Sequence, residues 1–290
     1  MKKFVVFIFF FLFAVVLKSQ TPFQTRPTAL PISHKAFEVS LFSPTRYGVG
    51  KKTELFSTVF WDWKLPNLGL KHLWFKKSAK KEKGFFKSRD IYFGTVHNFD
   101  YPNMFFKTIQ KRNDDYIPDT CIVPNVITMR NELRMTFFLK KKTSCDPANF
   151  LFTLRAGVKN SFMIKKDATM PPIERNPLWY RETVVCLDTI VWFVGADVDF
   201  FLTDRLNMLV DADFYSVDWN VKDFSVESKI FVYGYFGIKR NIMLEGGLKF
   251  VAGHVYSEPK FQILPMIDLS YFFKLKKKRD IGLFDDDKMY

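Results

Sequence analysis

The chain has 290 residues, a net charge of +14 and an aromatic content of 18 %, which includes 35 phenylalanines. This many aromatic residues exclude an intrinsically disordered chain. The mean hydropathy of −0.07 is too polar for a bundle of membrane helices, although it suits strands that alternate apolar and polar residues.

The first twenty residues have the pattern of a secretory signal peptide. Two lysines precede an unbroken apolar run, Phe4–Leu17, which is too short for a transmembrane helix. Lys18-Ser19-Gln20 ends this run, so cleavage is expected near Gln20. An uncleaved N-terminal anchor is the alternative. We assign residues 1–20 to the signal peptide and residues 21–35 to a short periplasmic segment.

No later apolar stretch approaches the roughly eighteen residues that a spanning helix needs, so strands are the elements to look for. Alternation of apolar and polar residues is moderately clear in the N-terminal third. It predicts five strands there: Phe37–Phe42, Lys52–Trp63, Leu68–Phe75, Asp90–Phe99 and Phe105–Lys111.

The clearest alternation lies in Ile127–Lys140. One face is apolar and includes Ile127, Met135 and Phe137, with Asn131 as the only misfit, whereas the opposite face is polar or charged. Successive side chains of a strand point to opposite faces, so this segment has one apolar wall and one charged wall.

The same alternation continues to the end of the chain, in segments that are long for globular strands and suit tilted membrane strands. The remaining predicted strands are Phe150–Lys159, Ile190–Thr203, Leu206–Phe214, Glu227–Ile238, Ile242–Phe250 and Ile263–Leu275. The sequence therefore predicts an all-β protein, a single up-and-down antiparallel transmembrane β-barrel of about twelve strands over residues 36–276. Ten strands is the second choice, and residues 277–290 form a charged tail.

The connections indicate an orientation. Short turns such as Leu65-Pro66-Asn67 and Tyr101-Pro102-Asn103 are expected on the periplasmic side, together with both termini. Longer links, among them Ser43–Lys51 and Lys165–Thr189, are expected outside, the latter as an exposed loop. The lysine-rich stretch Lys76–Lys87 also falls on an outer loop, where it could meet lipopolysaccharide phosphates; a solvated loop is the alternative.

The predicted inner wall carries charges of both signs. Basic and acidic groups lie on neighbouring strands, where they could pair, because charges cannot face hydrocarbon. The predicted lumen network consists of Arg130, Glu132, Arg134, Arg155, Lys159, Asp197, Asp199, Asp211, Asp213, Glu227, Lys229, Glu245, Lys249, Asp268 and Lys274. Either it is a structural ion-pair network in a narrow barrel, or it lines a polar path for a small solute.

Three cysteines follow the signal peptide: Cys121, Cys145 and Cys186. The predicted topology places the first and the last on the same side, so a Cys121–Cys186 disulfide is topologically allowed in an oxidising compartment. Cys145 is expected in a periplasmic turn.

The sequence contains no recognisable catalytic or metal-binding spacing. The four histidines, His34, His72, His97 and His254, are not spaced as in a Ser/His/acid or metal-ligand motif, and no cofactor is expected. The aspartate pairs on the predicted inner wall could bind calcium, but the neighbouring arginines favour ion pairs.

The chain resembles uncharacterised outer-membrane β-barrel proteins of the Bacteroidota. The resemblance rests on the Phe-rich signal that ends in Lys18-Ser19-Gln20 and on the segments Leu41–Gly50 and Leu65–His72. It implies a barrel in an outer membrane, and it carries no functional residues.

These features lead to one main hypothesis, a non-enzymatic outer-membrane barrel of a Gram-negative bacterium. It would be a narrow channel for small solutes or a structural component of the cell envelope, in contact with outer-membrane lipid and an unidentified protein partner. Nucleic acid is not an expected partner, despite the basic charge. The alternatives are a lipid-modifying enzyme, which needs a polar catalytic cluster on the lipid face near the outer rim, and a soluble secreted β-sandwich.

Overall fold

The computed structural model describes residues 27–58, 64–78, 89–112, 115–140, 149–165, 168–187, 189–203, 206–220, 222–236, 241–255 and 258–274. The predicted signal peptide, Cys145 and the charged tail lie outside these residues.

Twelve antiparallel strands form a closed barrel in which each strand pairs with its neighbours in sequence and β1 pairs with β12. The fold class, the up-and-down order and the number of strands are confirmed, and a β-sandwich is excluded because the sheet closes on itself. The strands are β1 Ala36–Ser40, β2 Thr45–Gly48, β3 Thr53–Ser57, β4 Asn67–Ser78, β5 Arg89–Asp100, β6 Asn125–Lys140, β7 Asn149–Lys165, β8 Val191–Phe201, β9 Leu206–Val217, β10 Phe224–Phe236, β11 Ile242–Val255 and β12 Glu258–Lys274.

The two ends of the barrel differ. The two helices of the described residues, α1 (Asn103–Arg112) and α2 (Pro177–Cys186), lie in connections at the same end, which we call the helix end. β1 begins and β12 ends at the opposite end, which we call the terminal end. Neither helix is long and apolar enough to cross a membrane.

The predicted strand Phe105–Lys111 is wrong, because this segment is part of α1. Phe105, Phe106 and Ile109 pack together on one side of this helix. Over only seven residues, the spacing of apolar residues on a helix face cannot be told from the alternation of a strand. The last turn contains Lys111 and Arg112, whose charge suits a helix C-terminus.

The predicted link Ser43–Lys51 is also wrong, because it contains the short strand β2. This omission and the extra strand at Phe105–Lys111 cancel in the count, but the three strands between them, β3, β4 and β5, run opposite to their predicted directions. Lys76 and Lys77 therefore lie at the terminal end, opposite the long helical connections, and not on the side predicted for Lys76–Lys87.

The wall is uneven in height. β1, β2 and β3 have five, four and five residues, whereas β6 has sixteen and β12 has seventeen. On β12, only Ser270–Lys274 pair with β1. In the described part of the chain, residues 258–267 of β12 therefore have β11 as their only neighbouring strand.

The backbone direction along this edge follows from two hydrogen bonds. Leu41 N donates to Leu269 O over 3.1 Å, whereas Phe272 N donates to Asn241 O over 2.7 Å. Odd-numbered residues of β12 thus direct their backbone groups away from β11. Pro259 and Pro265 are both odd-numbered, so the edge lacks two donors that other residues would supply.

Candidate functional site in the filled lumen

The charged wall predicted from the sequence faces the interior. Arg155, Asp197 and Asp213 are almost fully buried, whereas outward neighbours such as Leu133, Leu154 and Val194 are 44–52 % exposed. Fourteen of the fifteen predicted network residues lie on this inner wall, and the side chain of Lys274 is outside the described residues. The lumen is thus lined by charge and the outer face by apolar groups.

Arg155 is the centre of the network. Its Nε lies 2.8 Å from Asp197 Oδ2, and its Nη2 lies 2.9 Å from Asp213 Oδ1 and 3.8 Å from Asp211 Oδ2. Asp211 Oδ2 also lies 2.8 Å from Lys229 Nζ. One guanidinium therefore joins three carboxylates on two strands, in an interior where each charge depends on its partners.

Other predicted charges pair in ways that the sequence did not indicate. Glu132 lies 2.7 Å from Arg134 and 3.0 Å from Arg130. Lys249 of β11 contacts Glu227 of β10 at 2.9 Å. Asp268 accepts a hydrogen bond from Ser40 at 2.6 Å, and Asp199 accepts one from Tyr233 at 2.5 Å.

Part of the segment before β1 lies inside the barrel. Residues 28–32 are buried. Ala29 N donates to Thr136 Oγ1 at 2.8 Å and Ile32 N donates to Glu54 Oε2 at 2.6 Å, so the inner wall satisfies its backbone. We call residues 27–33 the N-terminal plug.

The wall is shaped to accept this plug. Arg134 and Lys71 donate to the carbonyl oxygens of Thr28 and Leu30, each over 3.3 Å. A Cβ at Gly48 would lie 2.1 Å from Ser33 O, so the close approach there requires glycine. Ala29 and Leu30 pack with Leu73, Tyr92, Phe138 and Leu151 of the inner wall.

Helix α2 fills the lumen from the helix end, which corrects the expectation that Lys165–Thr189 is an exposed loop. Asn176 caps its N-terminus by accepting hydrogen bonds from Leu178 N and Trp179 N. Tyr180, Val184 and Val185 pack in one buried cluster with inner-wall residues of β8, β9 and β11. The helix was missed because it is apolar on several sides and shows no clean period.

Two ion pairs hold α2 in place. Arg181 Nη1 donates to Glu227 Oε1 at 2.5 Å, and the guanidinium of Arg181 lies 3.9 Å from the centre of the Tyr215 ring. Glu182 pairs with Lys159, which also lies 3.7 Å from Asp100. We call the Arg181–Glu227 and Glu182–Lys159 contacts the α2 latch.

The latch withstands acid. Burial raises the pKa of Glu182, but Lys159 and Arg181 outweigh this effect and lower it to about 2. An unfolded glutamate has a pKa of about 4.3, so the pairing adds stability that is complete above that pH. This contribution is lost only as the pH falls towards 2.

Cys121 and Cys186 are both free thiols, and they pack in the same apolar cluster beneath α1 without forming the disulfide that the topology allowed. Burial raises the pKa of Cys186 to about 12, so its reactive thiolate is scarce at neutral pH.

Cys186 can therefore report the position of α2. In a Cys121→Ala, Cys145→Ala background, we expect maleimide to leave Cys186 unmodified in the folded protein. Arg181→Ala with Glu182→Ala should make labelling fast, because the helix loses its latch, whereas the exposed Arg175→Ala should not. Mass spectrometry of the intact protein measures the reaction, and rapid labelling before the latch is broken would contradict a docked α2.

Among the described residues, no group of three or more histidine, cysteine or acidic side chains is arranged to hold a metal ion. The inner-wall aspartates instead lie beside Arg155 and Lys229, so the calcium alternative has no support from their geometry.

A scan against models of known protein families finds no match, and a search of curated proteins finds no relative. The geometry of the barrel is therefore the basis for assigning a function.

Proposed function

We propose that this chain is an outer-membrane β-barrel whose lumen is closed by its own N-terminal plug and by α2. The outward apolar surface carries the proposal. Exposed apolar side chains continue around the long strands, including Leu133 at 52 %, Phe162 at 53 % and Ile267 at 65 %. Water-soluble proteins rarely expose a continuous apolar surface of this kind, whereas a barrel in a bilayer needs apolar side chains facing the hydrocarbon.

Two rows of aromatic rings border the belt. At the helix end, rings lie 5.1–5.8 Å apart from Trp192 through Phe214 and Phe224 to His254. At the terminal end, Phe150 stacks on Phe200 at 6.3 Å. Rings in such positions suit the two interfaces of a bilayer.

The spacing between the rows supports the same placement. Trp192 and Phe200 lie eight residues apart on β8. This corresponds to about 26 Å along the strand, or about 20 Å in height for a tilted strand. The apolar band of an outer-membrane barrel is about 25 Å tall.

The filled lumen favours a structural role over an open channel. The N-terminal plug occupies the interior beside β3, β4 and β6, and α2 occupies the helix end. Since the longer connections of such barrels face outwards, we place the helix end outside. The outer wall and the helix end are then the surfaces that can meet lipids and partners.

The membrane placement predicts an opposite response at two exposed apolar sites. Leu133→Arg, in the middle of β6, should destabilise the protein in lipid vesicles by about 2–4 kcal/mol, because the charge faces hydrocarbon. Ile122→Arg, equally exposed but in the connection after α1, should change stability by less than about 0.5 kcal/mol.

Denaturant unfolding in vesicles measures both values, and fractionation of cells adds an independent test. The wild-type protein should require detergent for extraction. Equal tolerance of the two arginines, with recovery in the soluble fraction, would refute the proposed placement.

A further inference from the structure

The outer face carries a polar cluster within its apolar belt. Thr53, His72, Thr95, His97 and Asn131 all point outwards from β3, β4, β5 and β6, and we call them the outer polar cluster. Exposed Leu70, Phe99, Leu133 and Met135 surround it. Polar groups are costly beside hydrocarbon, so a cluster of five calls for an explanation.

The strand register brings these residues together. Thr53 lies opposite His72, and His72 lies opposite Thr95. His97 is two residues further along β5, on the same face, and lies opposite Asn131. Residues two apart in a strand are separated by about 6.6 Å, so Thr95 and His97 can reach a common group.

Hydrogen bonds fix the orientation of His97. Its Nδ1 lies 2.7 Å from Asn131 Oδ1, which can only accept, so Nδ1 carries the hydrogen. Nε2 is then the basic nitrogen, and it has no hydrogen-bond partner in the described part of the chain. A histidine oriented in this way through Nδ1 is a general base with its lone pair available.

Thr95 supplies a hydroxyl next to this base. Its Oγ1 accepts a hydrogen bond from Trp74 Nε1 at 3.1 Å, which leaves the hydroxyl hydrogen available to a second group. His72 Nδ1 is hydrogen-bonded to Thr53 Oγ1 at 2.9 Å. Thr95 and His97 are therefore the pair in this cluster that can act on a ligand.

The depth of Thr95 and His97 along the barrel wall indicates which part of a lipid they can contact. His97 lies three residues from the end of β5, about 10 Å along the strand from the helix end. In a bilayer, the acyl esters of lipids lie at the border between hydrocarbon and headgroups. We propose that the outer polar cluster hydrolyses acyl esters of membrane lipids, an inference that rests on the membrane placement proposed above and goes beyond the expectation of a non-enzymatic barrel.

The reaction has two balanced steps. Thr95 Oγ1 attacks the ester carbonyl carbon as its proton passes to His97 Nε2, and the departing lipid alcohol takes that proton when its bond to the acyl carbon breaks. Water then attacks the acyl–Thr95 ester and gives a proton to Nε2, which returns it to Thr95 as the fatty acid leaves. Asn131 is a positioning residue that holds His97.

Purified protein in detergent micelles, with a phospholipid that carries a fluorogenic acyl chain, tests the proposal. Wild type should release the fluorescent acid, and a long-chain fluorophosphonate should form an adduct on Thr95 that mass spectrometry locates. His97→Ala should lower the hydrolysis rate about 100-fold or more, as expected for loss of a general base. Thr95→Ala should abolish both signals and Thr95→Ser should retain them.

Asn131→Ala should displace the pH dependence of hydrolysis as well as slow it, whereas Asn131→Asp, which keeps the acceptor, should preserve activity. Ser228→Ala, an outward hydroxyl on β10 that donates to Asp211 O, is the matched control and should leave the rate unchanged. Each variant must keep the electrophoretic mobility of folded barrel.

Absence of both hydrolysis and adduct in folded wild type, or hydrolysis that survives Thr95→Ala, overturns the assignment. The assay uses micelles and does not depend on cellular location, so it can fail while the membrane placement stands.

Discussion

Replacing Arg155 with alanine is expected to lower the free energy of unfolding by about 3–5 kcal/mol, the cost of breaking a buried ion pair by removing one partner. The Arg155 side chain is 7 % exposed and lies within 4 Å of three carboxylates. Its loss leaves Asp197 and Asp213 facing each other without the cation that separates them, while Asp211 keeps Lys229.

An exposed ion pair provides the control for this measurement. Lys260 lies 2.7 Å from Glu258, and their side chains are 33 % and 72 % exposed. Lys260→Ala should cost at most about 1 kcal/mol, because water replaces the lost partner. Denaturant unfolding in detergent, followed by tryptophan fluorescence, compares the two variants, and similar losses would mean that Arg155 is not buried in a dry network.

A double-mutant cycle identifies the partner of Arg155. Asp213 accepts a hydrogen bond from Arg155 at 2.9 Å, whereas Asp211 lies at 3.8 Å and has Lys229 as well. The effects of Arg155→Ala and Asp213→Ala should therefore be clearly less than additive, and the departure should be smaller with Asp211→Ala. Additivity in both cycles would contradict the proposed centre of the network.

Removing both internal obstructions is expected to turn a closed barrel into an ion channel. Wild type should show no discrete conductance in planar bilayers, because the N-terminal plug and α2 fill different parts of the lumen. A variant that lacks residues 27–33 and also carries Arg181→Ala and Glu182→Ala should show stepwise openings. The charged inner wall remains in this variant, so ions have a polar path once the obstructions move.

The single changes are the controls for this experiment. Deletion of the plug alone leaves α2 latched, and latch substitutions alone leave the plug bonded to Thr136 and Glu54. Each should therefore conduct far less than the combined variant. Steady conductance of wild type would refute a closed lumen and restore the channel hypothesis.

Strand alternation predicts the barrel wall, but it does not predict the helices or the N-terminal plug. In β6, the two-residue period separates inward from outward side chains over residues 125–138, which no helix can imitate. In α1, the pattern is too short to separate the two periods. The N-terminal plug has no regular element at all, and its place depends on distant acceptors such as Glu54 and Thr136.

The predicted inner charges illustrate a second limit. Alternation tells which wall a side chain occupies, whereas pairing depends on strand register and on the elements inside the barrel. Lys249 contacts Glu227 because Glu227 lies between it and Arg181 of α2, a helix that the sequence did not reveal. The outer polar cluster did leave a signal, since Asn131 is the one misfit on the apolar face of β6.

Within the described residues, part of β12 has a neighbouring strand on one side only, and this edge affects how copies of the chain can meet. Exposed strand edges recruit matching strands from other molecules and so begin aggregation. Along residues 258–267, the positions that direct backbone groups to the edge are 259, 261, 263, 265 and 267, and the first and fourth of these are prolines. A strand from a second copy would lose two of the five donors along this ladder, so the prolines weaken edge-to-edge pairing between copies of the chain.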